Sequence, residues 1–285
     1  GQKLLHKLRT DNLVDLIATS RGENRVSEQS NYKYIDLDIT DETAVSEIIL
    51  EQKPDVVINT AAMTNVDLCE EKKSECDDLN VNAVQYLADA CEKIEAHLIH
   101  ISTDFIFDGE DGPYKEEDEP NPLSYYGLSK LKSEHLLQAH AVKWTILRTI
   151  IVFGVGENLS KGNIVLWAKS ALEKGGELTV VDDQFRSPTY VEDLVAGLLL
   201  LLEKRALGVY NLCGEEILTP FEMAVKTAKY LGLNHELLIR TSSASLQQLA
   251  QRPLVTGLKI DKAKEELGFM PRSFEQGLMD TFRPH

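Results

Sequence analysis

Apolar runs of strand length alternate along the chain with longer amphipathic stretches of helical period. A first helix is predicted over residues 2–8, then strands over 14–19 and 34–37, with the turn Ser20-Arg21-Gly22-Glu23-Asn24 between them. Thr40 and Asp41 each suit the N-cap of a helix over 42–52, which Pro54 ends. The Val56-Val57-Ile58 run reads as a buried strand over 55–59, followed by the small-residue loop Thr60-Ala61-Ala62-Met63-Thr64. A long helix over 74–94 leads to an apolar strand over 97–101, and a helix over 125–139 leads to a strand over 145–153. Such alternation predicts an α/β fold, a doubly wound parallel sheet covered on both faces.

The pattern changes after Phe153. Gly-rich turns precede a helix over 162–174, a strand over 178–181 and the polar run 182–189. A helix over 191–204, a strand over 208–212 and helices over 221–231 and 261–267 follow. Residues 1–153 are therefore expected to form the main sheet domain and 154–285 mainly a smaller α+β domain, with 190–213 returning to the main sheet.

A chain of 285 residues is long enough for a full core, and 43% hydrophobic with 27% charged residues is ordinary for a soluble globular protein. The formal net charge of −16 argues against nucleic acid or an anionic membrane surface as a partner. It leaves room for a small phosphorylated ligand, which a few cations and helix N-termini can hold. Cys69, Cys76, Cys91 and Cys213 form no CxxC pair, so reduced thiols, no metal site and a cytoplasmic location are expected. The longest apolar run, 198–202, is far too short to span a bilayer.

The candidate chemistry lies between Ser102 and Lys130. Tyr126 and Lys130 stand four apart in the helix predicted over 125–139, which puts both side chains on one face, about 5–6 Å apart at Cβ. A free tyrosine has a pKa of about 10 and exchanges protons poorly at neutral pH. A neighbouring ammonium is expected to favour the phenolate and bring Tyr126 toward a working range. Thr103, at the end of the 97–101 strand, adds a hydroxyl that can hold a substrate oxygen. The set suits proton transfer at a carbonyl or alcohol oxygen.

Ser102-Thr103-Asp104-Phe105-Ile106-Phe107-Asp108-Gly109, Pro113-Tyr114 with Glu116 and Asp118, and Tyr126-Gly127-Leu128-Ser129-Lys130 together resemble the extended short-chain dehydrogenase/reductases, and within them the dTDP-4-dehydrorhamnose reductase family. The run Gln184 to Thr189, Arg252-Pro253 and the 259–278 segment extend the likeness over nearly the whole chain. The resemblance implies a Rossmann-type cofactor domain and reduction of a dTDP-linked ketosugar. In it Tyr126 delivers the proton, Thr103 orients the oxygen, and Lys130 tunes Tyr126 and holds the nicotinamide ribose. It matches Gly1 to the third glycine of the family's phosphate-binding turn, so the first strand and the first two glycines are expected to be missing; a tag remnant is the other reading of Gly1.

The resemblance places Asp38 and Ile39 beside the adenine and Ala61, Ala62 and Met63 along the ribose and pyrophosphate. Ser20 and Arg21, with no acid at that strand end, favour NADP, and NAD stays open. On the sugar side it implies Asp104, Ile151, Asn163, Arg186 and Arg252. Asp104 is also readable as a loop cap, and the Arg-Pro pair as a packed loop. Ile151 stands where rhamnose-pathway reductases can carry a Trp. Asp104-Phe105 replaces the Asp-Glu pair of the related dehydratases, so the base for dehydration is missing. Two alternatives remain at this point: an epimerase or reductase of another nucleotide sugar, and a non-catalytic regulatory subunit, since the methionine adenosyltransferase beta subunit is similar to this family. A homodimer is a further expectation.

Overall fold

The computed structural model describes every residue except 12–13, 158–161, 247 and 284–285. α1 (Gln2–Leu8) is followed by β1 (Ile17–Ser20) and β2 (Lys33–Asp36), which pair in parallel. α2 (Glu42–Gln52) starts at Asp41, whose carboxylate accepts from the Ala44 N–H. Then come β3 (Val56–Asn59), α3 (Val66–Glu71), α4 (Lys73–Asp77), α5 (Ala83–Lys93) and β4 (His97–Thr103). α6 (Tyr125–Ala139) leads to β5 (Lys143–Thr149) and β6 (Val152–Phe153). The remaining elements are α7 (Ile164–Glu173), β7 (Leu178–Val181), β8 (Thr189–Tyr190), α8 (Val191–Lys204), β9 (Gly208–Asn211), α9 (Pro220–Tyr230), β10 (Leu238–Thr241) and α10 (Phe274–Phe282).

The main sheet has the parallel order β3-β4-β5-β9. Its strands are apolar on both faces because helices cover both. On one side Val45 and Ile49 of α2 and Val84 and Leu87 of α5 pack on Leu98 and Ile146. On the other, Leu4 of α1 and Leu198 and Leu201 of α8 pack with Leu147. A separate cluster joins α7, α9, β7 and β10 through Leu172, Leu178, Phe221 and Leu238. The structure is the Rossmann-like α/β arrangement that the alternating pattern predicts.

Two long elements break where the pattern alone predicts continuity. The helix expected over 74–94 contains a π-helical turn, Asp78–Asn82, and is preceded by α3, which the pattern did not reveal. That turn carries the buried side chain of Asn80. The strand expected over 145–153 leaves the sheet after Thr149. Thr189 draws it away, its hydroxyl donating to the Ile150 carbonyl at 2.7 Å and its N–H to the Ile151 carbonyl at 3.2 Å. Ile151 takes φ +28°, rare for a β-branched residue, and β6 pairs with β8 instead. α10 also went unpredicted, although Ser273 and Gln276 form a capping box at its start.

One polar contact inside the main domain ties three elements. Glu134 of α6 accepts from the Arg148 Nη2 of β5 at 2.7 Å and from the Ser102 hydroxyl of β4 at 2.5 Å, and both charged side chains are at most 4% exposed. Arg148 also donates to the Glu116 carbonyl at 3.0 Å. Removing one partner leaves the other charge stranded. Arg148→Met is therefore expected to lower unfolding stability by about 3–5 kcal/mol in urea titration. Lys169→Ala, at the exposed Lys169–Glu173 pair, should cost less than about 1 kcal/mol.

Candidate active site at the carboxyl ends of the central strands

Thr103 ends β4 and opens a tight turn, Asp104–Ile106, its hydroxyl oxygen accepting from the Phe105 N–H at 3.3 Å. α6 begins against that turn. Ser124 caps it by accepting from the Gly127 N–H at 3.2 Å, and a Cβ at Gly127 would lie 2.1 Å from the Phe105 carbonyl oxygen. Only glycine allows this approach. It sets the edge of Phe105 against the Tyr126 ring, centroids 5.6 Å apart at 67°. Tyr126 is thereby buried beside Met63, Val66, Cys69 and Cys76, with its phenol close enough to the Thr103 side chain to be influenced by it.

The electrostatics of this site differ from the sequence expectation. Burial pushes the Tyr126 phenol well above its ordinary value; the Thr103 hydrogen bond opposes this, and Asp104 reinforces it. Burial likewise lowers Lys130 from 10.5 to about 7, against the pull of Glu134 and Cys76. The Lys130 Nζ lies 2.7 Å from the Nε2 of His100, itself held well below 6.5 by burial and then by Lys130. An expected cation beside a softened phenol is therefore replaced by a phenol that keeps its proton and a lysine that gives its proton up easily. Desolvation is the largest influence on both groups.

The small-residue loop after β3 is held from two sides. Asn59 accepts from the Ala61 N–H at 3.1 Å. Asn80 accepts from the Met63 N–H at 2.8 Å and donates to the Met63 carbonyl at 3.0 Å, while also donating to Ser129 of α6 at 2.9 Å. Asn82 lies outside this web and donates to Asp78 at 3.0 Å. Gly1 abuts the same loop, since a Cβ there would lie 3.1 Å from the Thr60 hydroxyl oxygen. At the end of β1 the Ser20 hydroxyl is 2.7 Å from that of Tyr34. Arg21 is exposed, 3.6 Å from Asp38. Asp38 is held below its ordinary pKa by the Thr40 hydroxyl and N–H, then by Arg21. Ile39 follows, packed against the α2/α5 cluster.

The residues expected on the sugar side are spread over several contacts. Asp104 and Arg186 do meet: the buried carboxylate accepts from Thr256 and lies 3.6 Å from the Arg186 Nε. Arg186 is 1% exposed, and its other nitrogens donate to the carbonyls of Phe185, Pro253 and Leu254. Asn163 caps α7 and donates to the Gly154 carbonyl at 2.6 Å. Arg252 forms a two-pronged pair with Asp67, at 2.7 and 3.2 Å. Ile151 sits in its left-handed conformation between the two core clusters that it touches.

Sequence reasoning passed over Asn59, Asn80, His100, Glu134 and Asp67. Some signals were present. His100 interrupts an apolar strand, Asn59 ends one, and Glu134 continues the four-residue stripe Tyr126, Lys130, Glu134. Nothing in the pattern points to Asn80, because the π-turn that turns it inward is a tertiary outcome.

The depressed pKa of Lys130 has a consequence for stability. Between about pH 7 and 10.5 the unfolded chain binds a proton at Lys130 that the folded chain does not, so stability from this group rises with pH across that window. Lys130→Met is expected to be more stable than wild type at pH 7, by on the order of a few kcal/mol. Thermal melts at stepped pH should show the gap closing toward pH 10.

Residues 1–284 match the model of the RmlD substrate binding domain family. The chain is 34% identical over 258 residues to dTDP-4-dehydrorhamnose reductase of Aggregatibacter actinomycetemcomitans, covering 86% of each chain. It is 32% identical over 258 residues to methionine adenosyltransferase 2 subunit beta of Bos taurus, covering 88% of this chain and 77% of that one. The structure superposes with a TM-score of 0.83 on dTDP-4-dehydrorhamnose reductase of Bacillus anthracis in complex with NADP, at 27% identity, covering 99% of this chain and 95% of that one. Among the described residues no helix is long and apolar enough to cross a membrane. With a buried Thr-Tyr-Lys set at the end of a central parallel strand, and with these likenesses along its whole length, the chain belongs to the RmlD substrate-binding-domain family of the extended short-chain dehydrogenase/reductases.

Proposed function

We propose that the protein is a cytoplasmic NADPH-dependent reductase of the C4 ketone of a dTDP-4-keto-6-deoxy sugar, the dTDP-4-dehydrorhamnose reductase reaction. The observation that carries this reading is the burial of Tyr126 beside Thr103 at the end of β4, on a helix that also buries Lys130. Residues 1–153 form the cofactor half and 154–285 mainly the sugar half, with 190–213 belonging to the main sheet.

The residues present fit a dinucleotide. Gly1, where a Cβ would lie a tight 3.1 Å from the Thr60 hydroxyl, and the small Ala61 and Ala62 let backbone approach a pyrophosphate. Met63 lies along the same loop, and Asp38 and Ile39 flank the adenine. Ser20 and the exposed Arg21 offer a hydroxyl and a cation for a 2′-phosphate. Bound NADPH supplies the hydride. Thr103 holds the ketone oxygen, Tyr126 delivers its proton to that oxygen, and Lys130 restores the proton balance of Tyr126 while contacting the ribose. The raised pKa of Tyr126 keeps the phenol protonated and ready to donate at neutral pH. Phe105, where dehydratases carry a carboxylate base, packs on Tyr126 and has no proton to exchange. Asp104 and Arg186 shape the sugar pocket from within, Ile151 supplies an apolar wall, and Asn163 and Arg252 face the nucleotide end.

The decisive experiment is NADPH oxidation with dTDP-4-keto-6-deoxyhexose. Tyr126→Phe should lower kcat about 10²–10⁴-fold with NADPH binding preserved. Wild type that binds NADPH without turnover, and instead associates tightly with a partner enzyme, would support the regulatory-subunit reading. Arg21→Ala should weaken NADPH about 10-fold or more, as loss of a charge-assisted hydrogen bond does, and leave NADH affinity unchanged.

A further inference from the structure

His100 sits in the middle of β4, 1% exposed, with a partner on each ring nitrogen. Its Nδ1 is 3.2 Å from the Nδ2 of Asn59. The Asn59 amide is oriented by its other end, since Oδ1 accepts from the Ala61 N–H at 3.1 Å. Asn59 therefore turns its NH₂ toward His100, and Nδ1 must present a lone pair. A neutral imidazole with a bare Nδ1 carries its proton on Nε2. The Ser133 hydroxyl is compatible with this: it donates to the Lys130 carbonyl at 2.7 Å and so places no proton on Nε2, 3.2 Å away, which leaves the Nε2 proton to its nearer neighbour. The Lys130 Nζ, 2.7 Å from the same Nε2, then faces a donor. An ammonium has three donors and no lone pair, whereas a neutral amine can accept.

We infer that His100, set in one tautomer by Asn59, is a positioning residue that holds Lys130 as a neutral amine in the free protein and ties its protonation to the Ala61 N–H of the loop after β3. The proton count balances. Uptake of one proton from water gives the Lys130 ammonium. The imidazole proton moves to Nδ1, the Asn59 amide turns its oxygen to meet it, and Nε2 offers its lone pair to Nζ. That turn removes the acceptor of the Ala61 N–H. A ligand that takes this N–H therefore favours the ammonium, the form able to return a proton to Tyr126. The other ionisable groups around Lys130 are Glu134 and Tyr126 on its own helix and Cys76 on α4; the carboxylate favours the ammonium, but Arg148 already neutralises it. The low pKa of Lys130 agrees with this arrangement. The link to catalysis rests on reading 61–63 as the cofactor loop, whereas the tautomer does not.

Long-range proton–nitrogen NMR correlations of the imidazoles in the ligand-free wild-type protein, assigned with His100→Gln, test the tautomer without any turnover. Protonated Nε2 with bare Nδ1 is expected, and a proton on Nδ1 would overturn the inference. Carbon-labelled lysine, assigned with Lys130→Met, then reports the titration of Lys130. Gln at 100 can offer Nζ its carbonyl oxygen, so the midpoint in His100→Gln should rise by about 1–2 pH units, the worth of one charge-assisted hydrogen bond. An unchanged midpoint would sink the coupling. If His100→Gln fails to fold, proton uptake on NADP binding by wild type, read by calorimetry in buffers of different ionisation heat, replaces it: net uptake near pH 7 is expected, and none would overturn the coupling. These readouts stand if the protein proves inactive on the ketosugar, so failure of the reductase reading and failure of this inference are distinguishable.

Discussion

A helix that turns a polar stripe into the protein must find a partner for each polar atom, and α6 does this with Tyr126, Lys130 and Glu134. Burying a carboxylate and an amine one turn apart is costly unless both are hydrogen-bonded. Glu134 is satisfied by Ser102 and Arg148, and Lys130 by His100. These partners come from β4 and β5, so the helix is locked in rotation and height above the sheet. The Gly127 contact with Phe105 completes the seating. The position of the Tyr126 hydroxyl at Thr103 is a consequence of these contacts rather than of the loop around it.

The same desolvation that fixes the geometry reshapes the chemistry. In water, an ammonium one helical turn from a phenol favours the phenolate. In the dry interior neither charge is welcome, so burial holds the proton on Tyr126 and loosens the one on Lys130. For a group that must give a proton to a ketone oxygen, a reluctant phenol is the useful form. In the proposed reaction Lys130 returns the proton, and by the inference drawn above its own state depends on His100.

The sugar-side half shows how the same residue types serve packing. Arg186 and Asp104 lie together, but Arg186 spends its remaining donors on three backbone carbonyls. Its guanidinium thereby fixes the 253–254 segment over the turn after β4. Arg252 is engaged by Asp67 at the start of α3, which links the 250–252 segment to the helix beside Tyr126. These ion pairs connect the two halves of the chain around the candidate site, so ligand contacts there have to be made beside or in exchange for them.

The sequence by itself determined the parallel α/β architecture, because strands buried on both faces must be continuously apolar and their crossover helices amphipathic. It also singled out Thr103, Tyr126 and Lys130 as a candidate set, because a four-residue spacing puts Tyr126 and Lys130 on one face of a helix that follows the strand ending at Thr103. Several features were decided only by the tertiary structure. The π-turn that buries Asn80, the departure of the chain from the sheet at Ile151, and the pairing of Arg252 with Asp67 each depend on contacts between residues far apart in the chain. The protonation of Tyr126 and Lys130 belongs with them, since desolvation is set by what packs around a group and local sequence carries no record of that.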